Sequence, residues 1–285
     1  MGEEKKIGIT AMVLTYNEQD RIRDVLSCLK SFDDIIILDK SSTDNTRTIA
    51  LEYGAKIIQV PYYNDSTPSA VKRYIKEKLY EIQNNEWIFG ITSSDIVHHK
   101  LYENMIEFLE NNMSNNYVID VPLYRYSMGI KGKHTYYGEK EYIGDLWHRD
   151  MFNDKECLVH EDPWENVKKA KLECEEGVGI YHLTHAKLSL IMDRHWRYAV
   201  QYVEDYTKEG KTRKEIMKYA VKESLKMYIQ LLTRRIYKNK WEGLSQCMML
   251  VMYNAMIYLN AYFSEEKEKE ICDKYTDIRN ICRGD

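Results

Sequence analysis

A chain of 285 residues exceeds one average domain and is long enough for an α/β domain carrying a helical extension. Hydrophobic residues make up 44% and charged residues 30%, the balance of a folded chain rather than a disordered one. The net charge of −4 offers a polyanion no general attraction, so nucleic acid is not expected as a partner.

In chain order, Ile7 to Thr15 is a short apolar run followed by polar YNEQD, and Ile22, Val25, Leu26 and Leu29 then recur at helical spacing. Asp34 to Leu38 is a continuous apolar stretch of the kind buried on both faces of a sheet, and it leads into Asp39 and the loop KSSTDNT. A helix is expected from about Thr46, with Ser42, Thr43 or Asp44 as its cap and Gly54 as its stop, before a strand from Lys56 to Val60. Ser69 to Ile82 reads as a helix, Glu86 to Ile91 as a buried strand ending in the loop TSSD, and Leu101 to Asn111 as an amphipathic helix. Strands from Tyr117 to Tyr126 and from Asp145 to Phe152 follow, with tyrosines and charges interleaved, which suggests antiparallel members. From about Ala186 onward only helical spacing remains: Arg194 to Glu209, Thr212 to Tyr237, Gly243 to Phe263 and a charged last helix. Alternating strands and helices joined by right-handed crossovers imply a mostly parallel sheet covered by helices.

Six cysteines, Cys28, Cys157, Cys174, Cys247, Cys272 and Cys282, form neither a C-x-x-C pair nor a zinc-type spacing and read as reduced thiols. The opening MGEEKKIGIT lacks the apolar core of a secretion signal, and cytoplasmic residence is expected. Leu244 to Phe263 carries no charge over about the length of a bilayer span, yet Ser245, Gln246, Asn254 and Asn260 make it polar for one. It reads as a buried helix or as one lying peripherally on a membrane, at the inner face of the cell membrane. Tyr198, Tyr202 and Tyr206 recur every four residues, which fits one helix face packed on the sheet domain.

Ligands of open parallel sheets bind beyond the carboxyl ends of the strands. Three such ends are polar here: Tyr16 to Glu18, Asp39 with its loop, and Thr92 to Asp95. Tyr16 can offer its ring to a base, and Asp39 can accept hydrogen bonds from a base or ribose. The same loops also suit a plain turn and helix cap, and spacing alone leaves both readings open.

LTYNEQDRI, IIILDKSSTDNT and the stretch beginning at Trp87 resemble the successive motifs of family 2 glycosyltransferases with the GT-A fold. LVHED at 158 to 162, IYHLTH and the closing K-W-E-G-L pattern are similar to bacterial relatives of the lipopolysaccharide-core glycosyltransferases. The resemblance implies a GT-A-like α/β domain over residues 1–185, a mixed and mostly parallel sheet flanked by helices. A helical C-terminal region over residues 186–285 would cover the acceptor side and carry dimer or membrane contacts. It also implies transfer, with inversion, of a sugar from a nucleotide diphosphate, a UDP-sugar, to a hydroxyl of a glycan or glycolipid. Leu14, Thr15, Tyr16 and Glu18 would border the base, Asp39 would hold base or ribose, and Ser94 would line the nucleotide site. Lys72 or Arg73 would bring a cation to the diphosphate.

Where the family carries a metal-binding Asp-x-Asp, this chain has Thr92 and Ser94, with Asp95 beside them. A divalent metal, Mg²⁺ or Mn²⁺, would therefore depend on Asp95 and His182. Glu161, with Asp162 second, stands where the family supplies the base that takes the acceptor proton. Loss of the two aspartates leaves a rival reading, a binding or regulatory protein that keeps the pocket without turnover. A nucleotidyltransferase would show a glycine-rich phosphate loop after the first strand, and LTYNEQDR has no glycine.

Overall fold

The computed structural model describes residues 7–63, 67–112, 118–153, 164, 167–184 and 186–283. The chain divides into two units, Met1–Ala186 and Lys187–Asp285. In the first, β1 (Ile9–Thr15) lies between β2 (Asp34–Asp39) and β4 (Trp87–Thr92), with β3 (Lys56–Gln59) beyond β2, and all four strands are parallel. The sheet continues through β7 (Glu141–His148), antiparallel to both β4 and β6 (Val118–Ser127). It ends in β9 (Ile180–Thr184), parallel to β6, and β5 (Asp95–Val97), antiparallel to β9, while the short β8 (Lys169–Lys171) pairs with the start of β6.

Strand alternation decides which side chains meet which helices. Ile9, Ala11 and Val13 of β1, with Trp87, Phe89 and Ile91 of β4, face one side of the sheet. There they meet Ile22, Val25 and Leu26 of α1 (Ile22–Cys28), Ala50 of α2 (Thr46–Glu52) and Leu101, Met105 and Leu109 of α4 (Leu101–Asn112). Ile36, Leu38, Ile58 and Ile88 face the other side and pack on Ile75 and Leu79 of α3 (Ser69–Ile82). A fully buried leucine such as Leu26 stabilises this arrangement by roughly 1.5–3 kcal/mol. With helices on both faces, the strands read as nearly continuous apolar runs, as the sequence of β2 does.

Several element bounds differ from expectation. The strand expected from Asp145 begins at Glu141 and stops at His148, where the imidazole accepts from the Asp150 amide and opens a 3-10 turn at Arg149–Met151. TSSD is only partly a loop, since Thr92 closes β4 and Asp95 opens β5. None of Ser42, Thr43 and Asp44 is the N-cap of α2; that position falls to Asn45, and the Asp44 carboxylate instead receives the Thr46 amide and hydroxyl. Gly54 follows α2 at φ 74°, the left-handed stop its sequence position suggests.

The second unit holds α5 (Leu188–Lys208), α6 (Arg213–Thr233), α7 (Lys240–Tyr262) and α8 (Glu265–Arg283). Thr212 and Glu215 form a reciprocal capping box at the start of α6. Tyr202 is buried with Ile216 and Ala220 of α6 and Ile257 and Ala261 of α7, within the helical unit. The uncharged α7 buries Gln246, Cys247, Met249, Asn254 and Ile257, so it is a core helix of this unit. Among the described residues no helix is long and apolar enough to cross a membrane.

Candidate active site

The chain order of the parallel strands reverses at β1, since β2 lies on one side of it and β4 on the other. Loops leaving β1 and β4 diverge at such a point and leave a crevice at the carboxyl ends. Register sets the level of the three ends: Thr15 is opposite Asp39, and Leu14 is opposite both Leu38 and Thr92. The ladder runs on into the loops through Lys40 N to Thr15 O at 3.0 Å and Ser93 N to Leu14 O at 3.2 Å.

Beyond the strands, the loops after β1 and β2 are laced together. Amides of Asn17, Glu18 and Gln19 donate to Ser42 Oγ, Thr46 Oγ1 and Asp44 Oδ2 at 2.9, 2.7 and 3.1 Å. In return, Asn17 Oδ1 receives the Thr43 amide at 2.8 Å and Gln19 Oε1 the Asn45 amide at 3.1 Å. Burial alone would raise the Asp44 carboxyl, but bonds from the Thr46 hydroxyl and amide and the Gln19 amide hold it below its usual range. Asp39 is fully buried and accepts from the Thr15 hydroxyl at 3.2 Å, the Ser42 amide at 2.9 Å and the Ser42 hydroxyl. Arg47 Nε stands 3.7 Å away. Tyr16, one residue past the Thr15–Asp39 pair, sets its ring 4.5 Å from that of Tyr62.

Glu18 is gripped by both ends of the Arg21 guanidinium, at 2.7 and 2.6 Å, and Arg21 Nη1 also donates to Ser94 Oγ at 3.1 Å. This arginine joins the loop after β1 to the loop after β4, and sequence reasoning missed it because Arg21 reads as an ordinary helix-start charge. An arginine within helix reach of the YNE carboxylate is the signal that could have found it. Ser94 and Asp95 lie buried at 7% and 5% exposure. Asp95 Oδ2 receives the Thr92 amide and hydroxyl at 2.7 and 2.8 Å, while Oδ1 meets His182 Nδ1 at 2.6 Å.

These residues do not fit a two-carboxylate metal site. Hard divalent cations take carboxylate oxygens, and here two hydroxyls stand at the matching positions while both oxygens of Asp95 are engaged. Among the described residues no group of three or more His, Cys, Asp or Glu converges on one point. Asp95 also holds His182: a hydrogen bond through Nδ1 fixes the ring and leaves Nε2 as its other polar atom.

Across β5, β9 and β6, register puts Asp95, His182 and Arg125 in one row, and Arg125 also reaches Glu141 at 3.2 Å. Asp145 belongs to the same neighbourhood. Burial pushes its carboxyl well above the usual range, the charges of Asp95 and Asp120 push it further, and Arg125 opposes them. Its accessible surface is intermediate. A raised folded value means that stability is full below the unfolded value of about 3.9 and falls as pH rises through the folded one. Asp145→Asn is therefore expected to match the wild type near pH 4 and to gain in Tm steadily above it; a gain that shrinks with rising pH would refute this. In the sequence Asp145 shows only as an acidic residue directly before the apolar pair Leu146 and Trp147, in a strand that also carries Glu141.

Lys72 and Arg73 lie on α3, where Ile75 and Leu79 point inward; Lys72 is half-buried on the flank and Arg73 is exposed. Glu161 and Asp162 lie outside the described residues, as do His160 and His185. Trp164, two residues past Asp162 in the sequence, packs into a seat that only glycine allows: a Cβ on Gly144 would meet Trp164 Cδ1 at 2.8 Å and Val118 Cγ1 at 3.1 Å.

The chain is 26% identical over 113 residues to an uncharacterized glycosyltransferase of Rickettsia felis, covering 39% of this chain and 37% of that protein. It is 30% identical over 104 residues to one of Rickettsia bellii, covering 35% and 32%. The match thus spans about a third of the length of these curated relatives. Among solved structures, S. aureus TarS in complex with UDP-GlcNAc is similar over 93% of this chain and 92% of that one, at 13% identity and a TM-score of 0.45. Glucosyl-3-phosphoglycerate synthase from Mycobacterium tuberculosis, in complex with Mn²⁺, UDP and glucosyl-3-phosphoglycerate, is similar over 70% and 79%, at 14% identity and a TM-score of 0.41. The description "Glycosyl transferase family 2" matches residues 10–162. That stretch, more than half of the chain, runs from β1 past the laced loops to Asp162, and by it the protein belongs to glycosyl transferase family 2, with a GT-A fold.

Proposed function

We propose that this chain transfers a sugar from a nucleotide diphosphate donor, a UDP-sugar, to a hydroxyl of a glycan or glycolipid, with inversion at the anomeric carbon. The observation that carries the proposal is the convergence of three strand ends at the point where strand order reverses, with the loops after β1 and β2 laced together and Arg21 tying them to Ser94. Tyr16 supplies a ring for the base, with Leu14, Thr15 and Glu18 around it. Asp39 has acceptor capacity beyond its three bonds, because an ionised carboxylate offers about four lone-pair sites.

The leaving diphosphate needs positive charge. The described residues offer Arg21, which keeps N–H groups beyond its bonds to Glu18 and Ser94, and Lys72 on the flank of α3. Glu161 takes the proton of the attacking hydroxyl, with Asp162 as the second choice.

Calorimetry with a panel of sugar nucleotides tests the donor site. Heat is expected with a UDP-sugar, and Tyr16→Ala is expected to weaken binding about tenfold, the loss of one base–aromatic stack. No heat across the panel would sink the proposal. Turnover measured with Mn²⁺ and with EDTA should be similar, because the residues in place do not build a two-carboxylate site. Loss of turnover in EDTA would overturn that part. The second reading, a nucleotide-binding protein without catalysis, is favoured by the hydroxyls of Thr92 and Ser94; binding with no turnover under either condition would establish it.

A further inference from the structure

The outer face of α6 has two neighbouring rows. Ile216, Ala220 and Met227 point into the helical unit. On the opposite side, Val221, Leu225 and Ile229 recur every four residues and are 49%, 59% and 61% exposed, with Leu232 at 67% extending the row. Lys218, Lys222 and Lys226, also four apart and exposed, run alongside them, offset by about 60° on the helix surface. Between Lys211 and Trp241 the sequence has ten basic residues and only two acidic ones, in a chain whose net charge is −4. Both acidic residues are already engaged, Glu215 in the Thr212 cap and Glu223 with Lys226 at 3.1 Å.

From this arrangement we infer that α6 lies on an anionic lipid surface, with its leucine–isoleucine row in the headgroup boundary and its lysine row against lipid phosphates. An exposed apolar row with a basic row beside it offers both terms of interfacial binding, apolar burial and attraction to anionic lipid. Lysines beside the apolar row bury their methylene stems and lift the ammonium groups towards the phosphates. Charge decides between lipid and a second copy of the chain. Two α6 faces brought together would set lysine rows of like sign near one another at an interface with almost no free carboxylates, whereas an anionic leaflet meets them with opposite charge. The surface differs from the one the sequence suggested, which lay on α7. The inference stands apart from the donor site, and its test reads lipid binding without turnover.

Co-sedimentation of the full chain with vesicles tests it. Binding is expected to phosphatidylglycerol–phosphatidylcholine vesicles, weakening with added salt, and not to phosphatidylcholine alone. Lys218→Gln/Lys222→Gln/Lys226→Gln should weaken binding about 100-fold with unchanged Tm, since each lysine near an anionic surface contributes appreciably and all three are exposed. Leu225→Ser/Ile229→Ser should weaken it while leaving the residual binding sensitive to salt. Absence of binding to the anionic vesicles overturns the inference, as does binding that neither variant alters. So does a dimer, seen by sedimentation equilibrium, that Leu225→Ser/Ile229→Ser dissolves in a chain that ignores lipid.

Discussion

Glu161→Gln is expected to lower sugar transfer about 100- to 10,000-fold while leaving calorimetric affinity for the donor nucleotide unchanged. An amide keeps the size of the side chain but cannot accept the acceptor's proton as the new bond forms. The split between turnover and binding is what identifies a base, because damage to the fold would lower both. Asp162→Asn is the control and should reduce transfer much less. If Asp162→Asn abolishes transfer and Glu161→Gln does not, the base is Asp162; if neither does, the VHED segment has no part in proton removal.

Asp39→Ala should be the most damaging single change in the nucleotide half. The carboxylate is fully buried, and its removal strands the Ser42 amide and the hydroxyls of Thr15 and Ser42. Breaking such a buried charged network costs about 3–5 kcal/mol, a large share of an ordinary domain's stability. Chemical denaturation should therefore show a shifted midpoint, and donor binding should be lost even where the variant stays folded. A variant of wild-type stability that still binds the donor would show that Asp39 serves neither the loops nor the ligand.

Much of the sheet half was legible because its elements are locally consistent. The buried strands at Ile9 and Asp34 are apolar runs bounded by polar loops, and helices with apolar residues four apart have no competing period. What escaped the sequence depended on contacts far apart in the chain. Strand β5 is three residues long and exists only because β9 pairs with it, nearly ninety positions away, so no local pattern announces it. Glu141 to Gly144 mixes charge, tyrosine and glycine, and joins its strand through pairing with β6. At the candidate site, the strand-end loops stand out in the sequence, whereas the contacts of Arg21 and Asp145 do not. Arg21 matters through Ser94, 73 positions on, and Asp145 through charges on other strands. Position in three dimensions, not residue type, gives these side chains their roles.

The interlocking of the β1 and β2 loops also bears on how a nucleotide would arrive. Reciprocal bonds between Asn17, Gln19 and the residues from Ser42 to Asn45 already fix the backbone that the proposed nucleotide would meet. A guest that docks on finished masonry surrenders mainly its own freedom and little of the host's, so more of each contact survives as affinity.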